Sequence, residues 1–215
     1  MPPIVSIVGK SKSGKTTLIE KLIDELKSRG YQVATIKHTP QGMSIDEPDK
    51  DSWRHLKAGS EATVISSPDK MVLIKPVAQE LTIDEIVHLF GEDYDIILTD
   101  GFKQGNAPKI EVHRKEVGPP LNAITKLIAI VTDEPLETKT RQFPPEDVQG
   151  LANLLEEGFI KPQRERISLY ANNAPISLST FPKEFITNVL LAMAYSLKGV
   201  GEVRNLEVFV RREPK

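Results

Sequence analysis

The chain has 215 residues, enough for one sizeable domain or for a domain of about 150–160 residues with a small appendix. Its 39% hydrophobic and 27% charged residues are ordinary for a globular protein, and a net charge of -2 gives no sign of a binder of nucleic acid or acidic membranes. No apolar run approaches the ~20 residues that span a bilayer, no signal peptide is evident, and the absence of cysteine excludes disulfides and Cys-based zinc sites, so we expect a cytoplasmic protein.

The first predicted elements are a strand, a glycine-bracketed loop and a helix. Residues 4–8 form a short apolar run, and apolar residues recur at helical spacing over residues 17–26. Between them, residues 9–16 read Gly-Lys-Ser-Lys-Ser-Gly-Lys-Thr and fit the P-loop pattern G-x-x-x-x-G-K-[ST] without a mismatch. Glycines let successive backbone N–H groups curl around a phosphate, and the helix N-terminus adds partial positive charge. The segment therefore predicts phosphate binding.

The P-loop pattern gives each of its residues a predicted role. Lys15 is expected to reach the β- and γ-phosphates as a catalytic residue, and the Thr16 hydroxyl to coordinate Mg²⁺. The other residues predicted to bind the nucleotide are Gly9, Lys10, Ser11, Lys12, Ser13, Gly14 and Thr17. The alternative is a turn rich in glycine, serine and lysine that matches the pattern by chance.

Strands and helices alternate after the first helix, which predicts a mostly parallel sheet. The predicted strands are at 31–37, 63–66, 71–74, 94–101 and 127–133, and the predicted helices at 49–59, 83–90 and 145–157. The loop at 38–48 follows a strand of the nucleotide-binding half. It should therefore lie at the carboxyl edge of the sheet, where open α/β folds bind ligands.

One predicted strand ends in an acidic residue. Residues 94–101 read Tyr-Asp-Ile-Ile-Leu-Thr-Asp-Gly, which has the form of a Walker B element whose carboxylate holds Mg²⁺ directly or through water. An apolar strand followed by Asp-Gly is common, so this interpretation depends on the P-loop upstream. Asp100 is thus predicted to be a metal ligand with Thr16. Asp133 stands where some GTPases bind guanine, but it lacks the usual Asn/Thr-Lys-x-Asp run.

The pattern changes after a linker at 158–165. The predicted elements of this last part are two hairpin strands, a helix and a final strand, at 167–170, 176–178, 185–197 and 207–210. The predicted fold is therefore a three-layer α/β/α P-loop NTPase domain at 1–160 with a small ββαβ appendix at 165–212. The appendix carries no chemical motif, and dimerisation, partner contact and additional core all remain open for it.

Several runs of residues resemble the MobB family, P-loop proteins of molybdenum-cofactor guanine dinucleotide biosynthesis. They are residues 8–18, Lys37-His38, Asp46, residues 50–59 (Lys-Asp-Ser-x-Arg-His-x-x-Ala-Gly), Gly101-Phe102-Lys103 and Pro108 to Glu111. Together they cover roughly residues 4–135 and leave the appendix outside. The resemblance implies a GTP- and Mg²⁺-binding adaptor, usually a homodimer, with weak GTPase activity. It would bind a nucleotidyltransferase, with molybdopterin as a further candidate ligand, and assist the joining of GMP to molybdopterin.

The resemblance also implies roles for side chains outside the P-loop. Asp51 and Arg54 would act at the phosphates as catalytic residues, and Asp46 would position water or Mg²⁺. Lys103 and Arg114 would bind pterin or phosphate. The alternative is solvated surface charge, which for Asp51 and Arg54 would be a helical i,i+3 ion pair.

Two residues depart from the patterns of related proteins. Asp100 stands where the MobB family usually has Glu, and its shorter side chain favours a water-mediated contact with Mg²⁺. Lys10 stands where related dimeric P-loop ATPases have a lysine that reaches the partner's nucleotide. A solvated loop lysine is the alternative, because the Gly-Gly of that motif is missing here.

Two other functions remain open. A small-molecule kinase would need a basic lid, and the chain has no Arg-rich lid after Lys103. A nucleotide-gated metallochaperone would need metal ligands, and the chain has no cysteine and only scattered histidines. The sequence does not decide between GTP and ATP, or between binding and hydrolysis.

Overall fold

The computed structural model describes residues 1–39, 48–91, 93–163, 167–172, 174–176, 178–203 and 205–210. Residue contacts divide the chain into two units, one of residues 2–164 and one of residues 165–215 with Met1. The described elements of the larger unit are, in order, β1 (Ile4–Gly9), α1 (Lys15–Ser28), β2 (Val33–Lys37), α2 (Asp51–Lys57), β3 (Thr63–Ser66), β4 (Met71–Ile74), α3 (Ile83–Phe90), β5 (Ile96–Asp100), β6 (Lys109–Val112), β7 (Leu127–Val131), β8 (Gln142–Phe143) and α4 (Val148–Leu155).

Six of these strands form one sheet in the order β2-β5-β1-β6-β7-β8, and every neighbouring pair is parallel. The predicted α/β class and the parallel sheet are confirmed. Strand β6 was not predicted as a strand, although it pairs directly with β1. Because all six strands run the same way, the segments that follow β1, β2, β5, β6 and β7 start from one edge of the sheet.

Helices α1 and α4 cover one face of the sheet. Their leucines recur three or four residues apart, which places them on one side of each helix. The buried ones are Leu18, Leu22, Leu26, Leu151 and Leu155. They pack against the inward side chains of the strands, and each buried leucine contributes about 1.5–3 kcal/mol relative to an exposed one.

A buried lysine holds part of the chain against the other face. Lys109 is 0% exposed, and its neighbours Ile110 and Val112 belong to the core under the helices. Its ammonium group donates to the carbonyl oxygens of Gly105 at 2.6 Å, Ala107 at 3.0 Å and Thr125 at 3.2 Å. Burial lowers the pKa of Lys109. The three carbonyls compensate its lost hydration, and the lysine thereby joins the β5–β6 connection to the segment just before β7.

Strands β3 and β4 form a separate antiparallel hairpin. Both strands were predicted, and both are confirmed. The hairpin exposes large apolar side chains: Val64 is 54% exposed, Ile65 44% and Met71 68%. A two-stranded hairpin alone is only marginally stable in water. Contiguous exposed apolar side chains are also unusual on a monomeric protein and indicate an interaction surface.

The smaller unit contains β9 (Tyr170–Ala171), β10 (Ala174–Pro175) and α5 (Thr180–Tyr195). The predicted hairpin is present, but its strands are shorter than predicted and lie closer to the turn. The predicted strand at 207–210 is wrong, because the described residues 205–210 are in no strand. A strand needs a partner for its backbone groups, and an apolar run does not supply one. None of the described helices is long and apolar enough to cross a membrane.

Helix α4 begins and ends differently from the prediction. It starts at Val148, where the Asp147 carboxylate caps it by accepting from the N–H of Gly150 at 2.8 Å. Gly158 was predicted to close the helix, but the chain continues through a π-helical turn, Glu156–Ile160. Ile160, the last residue of this turn, is buried in the core, and its burial explains why the helical conformation continues past Gly158.

An ionic cluster joins the end of α1 to this turn. The Arg29 guanidinium donates to Glu156 at 2.7 Å and to Glu25 at 2.7 Å. Tyr31 donates its hydroxyl to Glu156 at 2.9 Å, and Lys161 lies 3.2 Å from the same carboxylate. Hydrogen bonds from Arg29, Tyr31 and Lys161 lower the pKa of Glu156 to about 2.

The lowered pKa of Glu156 predicts acid sensitivity. The stabilisation is complete above the unfolded value of 4.5 and is lost as the pH falls toward about 2. Glu156→Gln should therefore be less stable than wild type at pH 7 and lose less stability between about pH 5 and pH 2. Urea unfolding at a series of pH values measures this, with Glu157→Gln as the exposed control. An unchanged pH dependence in Glu156→Gln would contradict the assignment.

Candidate nucleotide-binding site

The P-loop segment (residues 9–16) connects β1 to α1 at the carboxyl edge of the sheet. Gly14 is the N-cap of α1, with φ +90°, and no side chain caps the helix. The first backbone N–H groups of a helix have no partner within it and carry its partial positive charge. An uncapped N-terminus at this position is suited to bind an anion.

Close packing fixes the start of the P-loop segment. A Cβ atom on Gly9 would lie 2.5 Å from the carbonyl oxygen of Val112 and 2.7 Å from Ser13 Oγ. Only glycine fits between β6 and the loop without displacing backbone. The Ser13 hydroxyl is buried and has no hydrogen-bond partner among the described residues. A buried hydroxyl without a hydrogen-bond partner costs about 1–3 kcal/mol. Such a hydroxyl suits a loop in which a bound phosphate oxygen would accept its hydrogen bond.

The side chain of Lys15 lies within its own loop. Its Nζ donates to the carbonyl oxygens of Lys10 at 2.8 Å and Gly9 at 3.4 Å. Burial lowers the pKa of Lys15; the positive charges of Lys103 and Lys37 act in the same direction, and Asp100 opposes them. The structure thus brings the predicted residues Lys15, Asp100 and Lys103 within electrostatic range of one another. The predicted residues Ser11, Lys12, Thr16 and Thr17 are exposed along the loop and the first turn.

Asp100 lies at the end of β5, in register with Ile7 of β1 and Lys37 of β2. Its carboxylate is 3.6 Å from Lys37 Nζ and is 18% exposed. The described residues contain no cluster of three or more histidine, aspartate or glutamate side chains that would hold a metal. A hydroxyl and a carboxylate fit Mg²⁺, which commonly takes one or two carboxylates with phosphate oxygens and water. The predicted ligand Asp46 lies outside the described residues.

The chain after Asp100 has an unusual backbone conformation. Phe102 has φ +56°, which is rare for a bulky residue and indicates strain. Its ring lies 4.6 Å from the ring of His38, and the His38 imidazole pairs with Glu80. These contacts fix the segment from which the exposed Lys103 projects.

The end of β6 lies on the other side of the P-loop segment. His113 is 3% exposed, and its Nε2 pairs with a Glu134 oxygen at 3.0 Å. Arg114 follows it, and its guanidinium Nη2 lies 3.6 Å from the position of a Cβ on Gly14. Asp133, the candidate for guanine, accepts a hydrogen bond from the N–H of Lys115 at 3.0 Å, and this bond lowers its pKa.

The predicted catalytic residues of α2 are not in contact with the P-loop segment. Asp51 is 90% exposed and Arg54 69%, and they form only a loose i,i+3 pair at 3.7 Å. Helix α2 packs instead beside β3, and together they line an open depression of about 630 Å³ that includes His55. The roles of Asp51 and Arg54 stay predictions.

Lys37 and His113 lie at the site but had no predicted role. Lys37 ends a predicted strand next to the strand of Asp100, so its position at the edge was available from the sequence. His113 follows β6, which was not recognised as a strand, so its nearness to the P-loop segment depends on the pairing of β1 with β6.

Comparison with known proteins gives consistent matches. The model of the family described as Molybdopterin guanine dinucleotide synthesis protein B (MobB) matches residues 4–133. The molybdopterin-guanine dinucleotide biosynthesis adapter protein of Haemophilus influenzae is 35% identical over 156 residues, which span 72% of this chain and 88% of that protein. The corresponding adapter protein of Escherichia coli is 34% identical over 167 residues, 75% of this chain and 95% of that protein.

Solved structures give the same result. The crystal structure of a molybdopterin-guanine biosynthesis protein B is similar with a TM-score of 0.58 and 30% identity, over 73% of this chain and 99% of that one. The Bacillus subtilis MobB structure is similar with a TM-score of 0.54 and 25% identity, over 73% of this chain and 97% of that one.

The tight packing of Gly9 predicts a strong effect of one methyl group. Gly9→Ala should destabilise the protein by about 1–3 kcal/mol, because a backbone carbonyl must move to admit the Cβ. Gly158→Ala is the matched control, since nothing lies within 4 Å of a Cβ at Gly158. Urea unfolding of both variants measures the difference. Equal stability of Gly9→Ala and wild type would show that the loop does not pack against β6 as described.

Proposed function

Because the chain belongs to the MobB family, we propose that it is an adaptor protein that binds GTP with Mg²⁺ and assists the attachment of GMP to molybdopterin. The observation that carries the proposal is the uncapped N-terminus of α1, with the Lys15 ammonium held inside the loop that precedes it. An uncapped helix N-terminus and a half-buried ammonium group beside it together suit a polyphosphate.

Charge at the sheet edge supports a polyanionic ligand. The positive charges of Lys103 and Lys37 add to the effect of burial in lowering the pKa of Lys15, whereas the Asp100 carboxylate raises it. The three lysine charges repel one another, and one carboxylate does not neutralise them, so the binding of an anion here is favourable. The whole chain has a net charge of -2, so this local excess is not a property of the general surface.

The proposed roles follow from the positions of the residues. The backbone N–H groups of the P-loop segment bind phosphate oxygens, and Lys15 exchanges the carbonyls of Gly9 and Lys10 for the phosphate chain. Thr16 and Asp100 would hold Mg²⁺, which neutralises charge on the phosphates. Hydrolysis is proposed to be weak, because Asp100 is engaged by Lys37 and the metal and is not free to activate water.

The pathway role is carried over from the relatives. Both bacterial proteins are adapter proteins of molybdopterin-guanine dinucleotide biosynthesis by name. We propose that this chain likewise delivers its bound nucleotide to a nucleotidyltransferase that acts on molybdopterin. Phe102 and Lys103, at the same edge as Asp100, are the proposed pterin side of the site.

Replacing Lys15 tests the nucleotide site directly. Lys15→Ala should lose measurable GTP binding and keep its fold, because the hydrogen bonds of the Lys15 ammonium go to carbonyls of its own loop. Titration calorimetry with GTP and Mg²⁺ measures the affinity, and circular dichroism checks the fold. Lys21→Ala, an exposed lysine of α1, is the control and should bind as wild type does. Unchanged affinity in Lys15→Ala would refute the proposed site.

We also propose that two copies associate through the β3–β4 hairpin. Each strand pairs only with the other within the described residues, so both outer edges offer free backbone groups. Apolar side chains of both strands are exposed, Val64 and Met71 the most. A second hairpin satisfies both features, because it supplies strand edges and apolar side chains of the same kind.

Charged substitutions on the hairpin test the association. Val64→Lys and Met71→Lys should shift the protein from dimer to monomer in sedimentation velocity, since a lysine at an apolar interface cannot keep its hydration. Glu61→Lys, an exposed position just before β3, is the control and should stay dimeric. A monomeric wild type at micromolar concentration, or a dimeric Met71→Lys, would exclude this interface.

A further inference from the structure

We infer that Arg114 is a phosphate-binding arginine supplied to the P-loop by the same chain, which holds it in place before any nucleotide binds. The inference rests on the proposed nucleotide binding and goes beyond it by naming the source of an additional positive charge. It separates Arg114 from Lys103, since both were candidates for either pterin or phosphate.

The position of the guanidinium carries the inference. Its Nη1 donates to the carbonyl oxygen of His113 at 3.1 Å. Its Nη2 lies 3.6 Å from the position of a Cβ on Gly14, the residue before Lys15 and the N-cap of α1. The guanidinium therefore lies at the helix N-terminus that would receive the phosphates. β6 places it there, because β6 pairs with β1 as far as Gly9 and Val112.

The hydrogen-bond donors of Arg114 are mostly unused. A guanidinium has five N–H donors, and the hydrogen bond that Arg114 makes within the described part of the chain is the one to the His113 carbonyl. The Asp133 carboxylate is near enough for the charge of Arg114 to help lower its pKa, after the hydrogen bond from Lys115, but it is not hydrogen-bonded to the guanidinium. A half-buried arginine that is not hydrogen-bonded to a carboxylate is only partly compensated. Its planar fork matches two phosphate oxygens, which a lysine does not.

Three contacts fix the chain on both sides of Arg114. Before it, the His113 imidazole pairs with Glu134 at 3.0 Å. After it, the N–H of Lys115 donates to Asp133 at 3.0 Å. Further on, the N–H of Leu121 donates to Glu111, which is only 2% exposed, at 2.6 Å. Such anchoring reduces the entropy that Arg114 loses when it binds an anion.

The same turn also receives Lys10. The Lys10 ammonium lies 3.3 Å from the position of a Cβ on Gly118, so its side chain is directed onto the turn after Arg114 of its own chain. Lys10 and Arg114 thus both place positive charge beside the P-loop segment of their own chain. The inference assigns the additional charge to Arg114 in cis, without requiring a lysine from a second copy.

Removing the charge of Arg114 while keeping its hydrogen bond tests the inference. Arg114→Gln keeps an N–H donor for the His113 carbonyl but loses the positive charge. Calorimetric titration with GTP and Mg²⁺ should show a Kd about tenfold to a hundredfold weaker than wild type, as expected for a lost charged hydrogen bond. Arg141→Ala, an exposed arginine before β8, is the matched control and should leave the Kd unchanged.

A salt series separates phosphate contact from a merely structural role. If Arg114 contacts the phosphates, the Kd of Arg114→Gln should rise less steeply with salt than that of wild type, because one ionic contact is missing. A structural role would weaken binding and leave the salt dependence unchanged. Wild-type affinity, or a weakened affinity with the wild-type salt dependence, would overturn the inference.

The controls keep the inference distinct from the proposed function. If wild type binds GTP and Lys15→Ala does not, the proposed site stands, and the result for Arg114→Gln then judges Arg114 alone. If wild type binds no GTP, the proposed function itself fails. Should Arg114→Gln not fold, Arg114→Lys replaces it: weaker binding supports a bidentate contact, and unchanged binding overturns it.

Discussion

Repulsion between positive charges at the carboxyl edge of the sheet is the constraint on which the site depends. Lys37 ends β2, and Lys15, Lys103 and Arg114 follow three other strands, yet the parallel sheet gathers all four around the N-terminus of α1. Two carboxylates partly compensate them: Asp100 lies 3.6 Å from Lys37 Nζ, and Asp133 interacts with the charge of Arg114. Like charges this close repel one another, and the proposed polyphosphate would supply the missing negative charge. The parallel sheet thus determines where the positive charges of the proposed site lie.

Buried polar side chains keep that edge in shape. Lys109 binds three carbonyls of the connections before and after β6, and Glu111 binds the N–H of Leu121. Their neighbours Ile110 and Val112 belong to the core under α1 and α4, so both side chains point to the opposite face of the sheet. The same strand ends in His113 and Arg114. The interactions that stabilise β6 therefore also position the arginine, and a change in the interior at Lys109 would reach the phosphate site.

Local patterns in the sequence were enough for part of this site. The P-loop segment and Asp100 follow short-range rules of strand, turn and helix, and the structure places them together at the predicted edge. Strand β6 was missed because Lys109 and Glu111 look like solvent-facing residues of a loop, and their partners lie up to 16 residues away. The strand at 207–210 failed for the opposite reason: its apolar residues suggest a strand, but the sequence cannot show whether a partner strand exists. Long-range pairing, not local propensity, decided both cases.

The measurement that tests the central claim most directly is calorimetric titration of the wild-type protein with GTP and with ATP, each with Mg²⁺, in the presence and absence of molybdopterin. The account predicts that GTP binds more tightly than ATP and that molybdopterin strengthens GTP binding, because both ligands share one edge of the sheet. Preference for ATP with no effect of molybdopterin would contradict the adaptor function and favour a small-molecule kinase on the same fold.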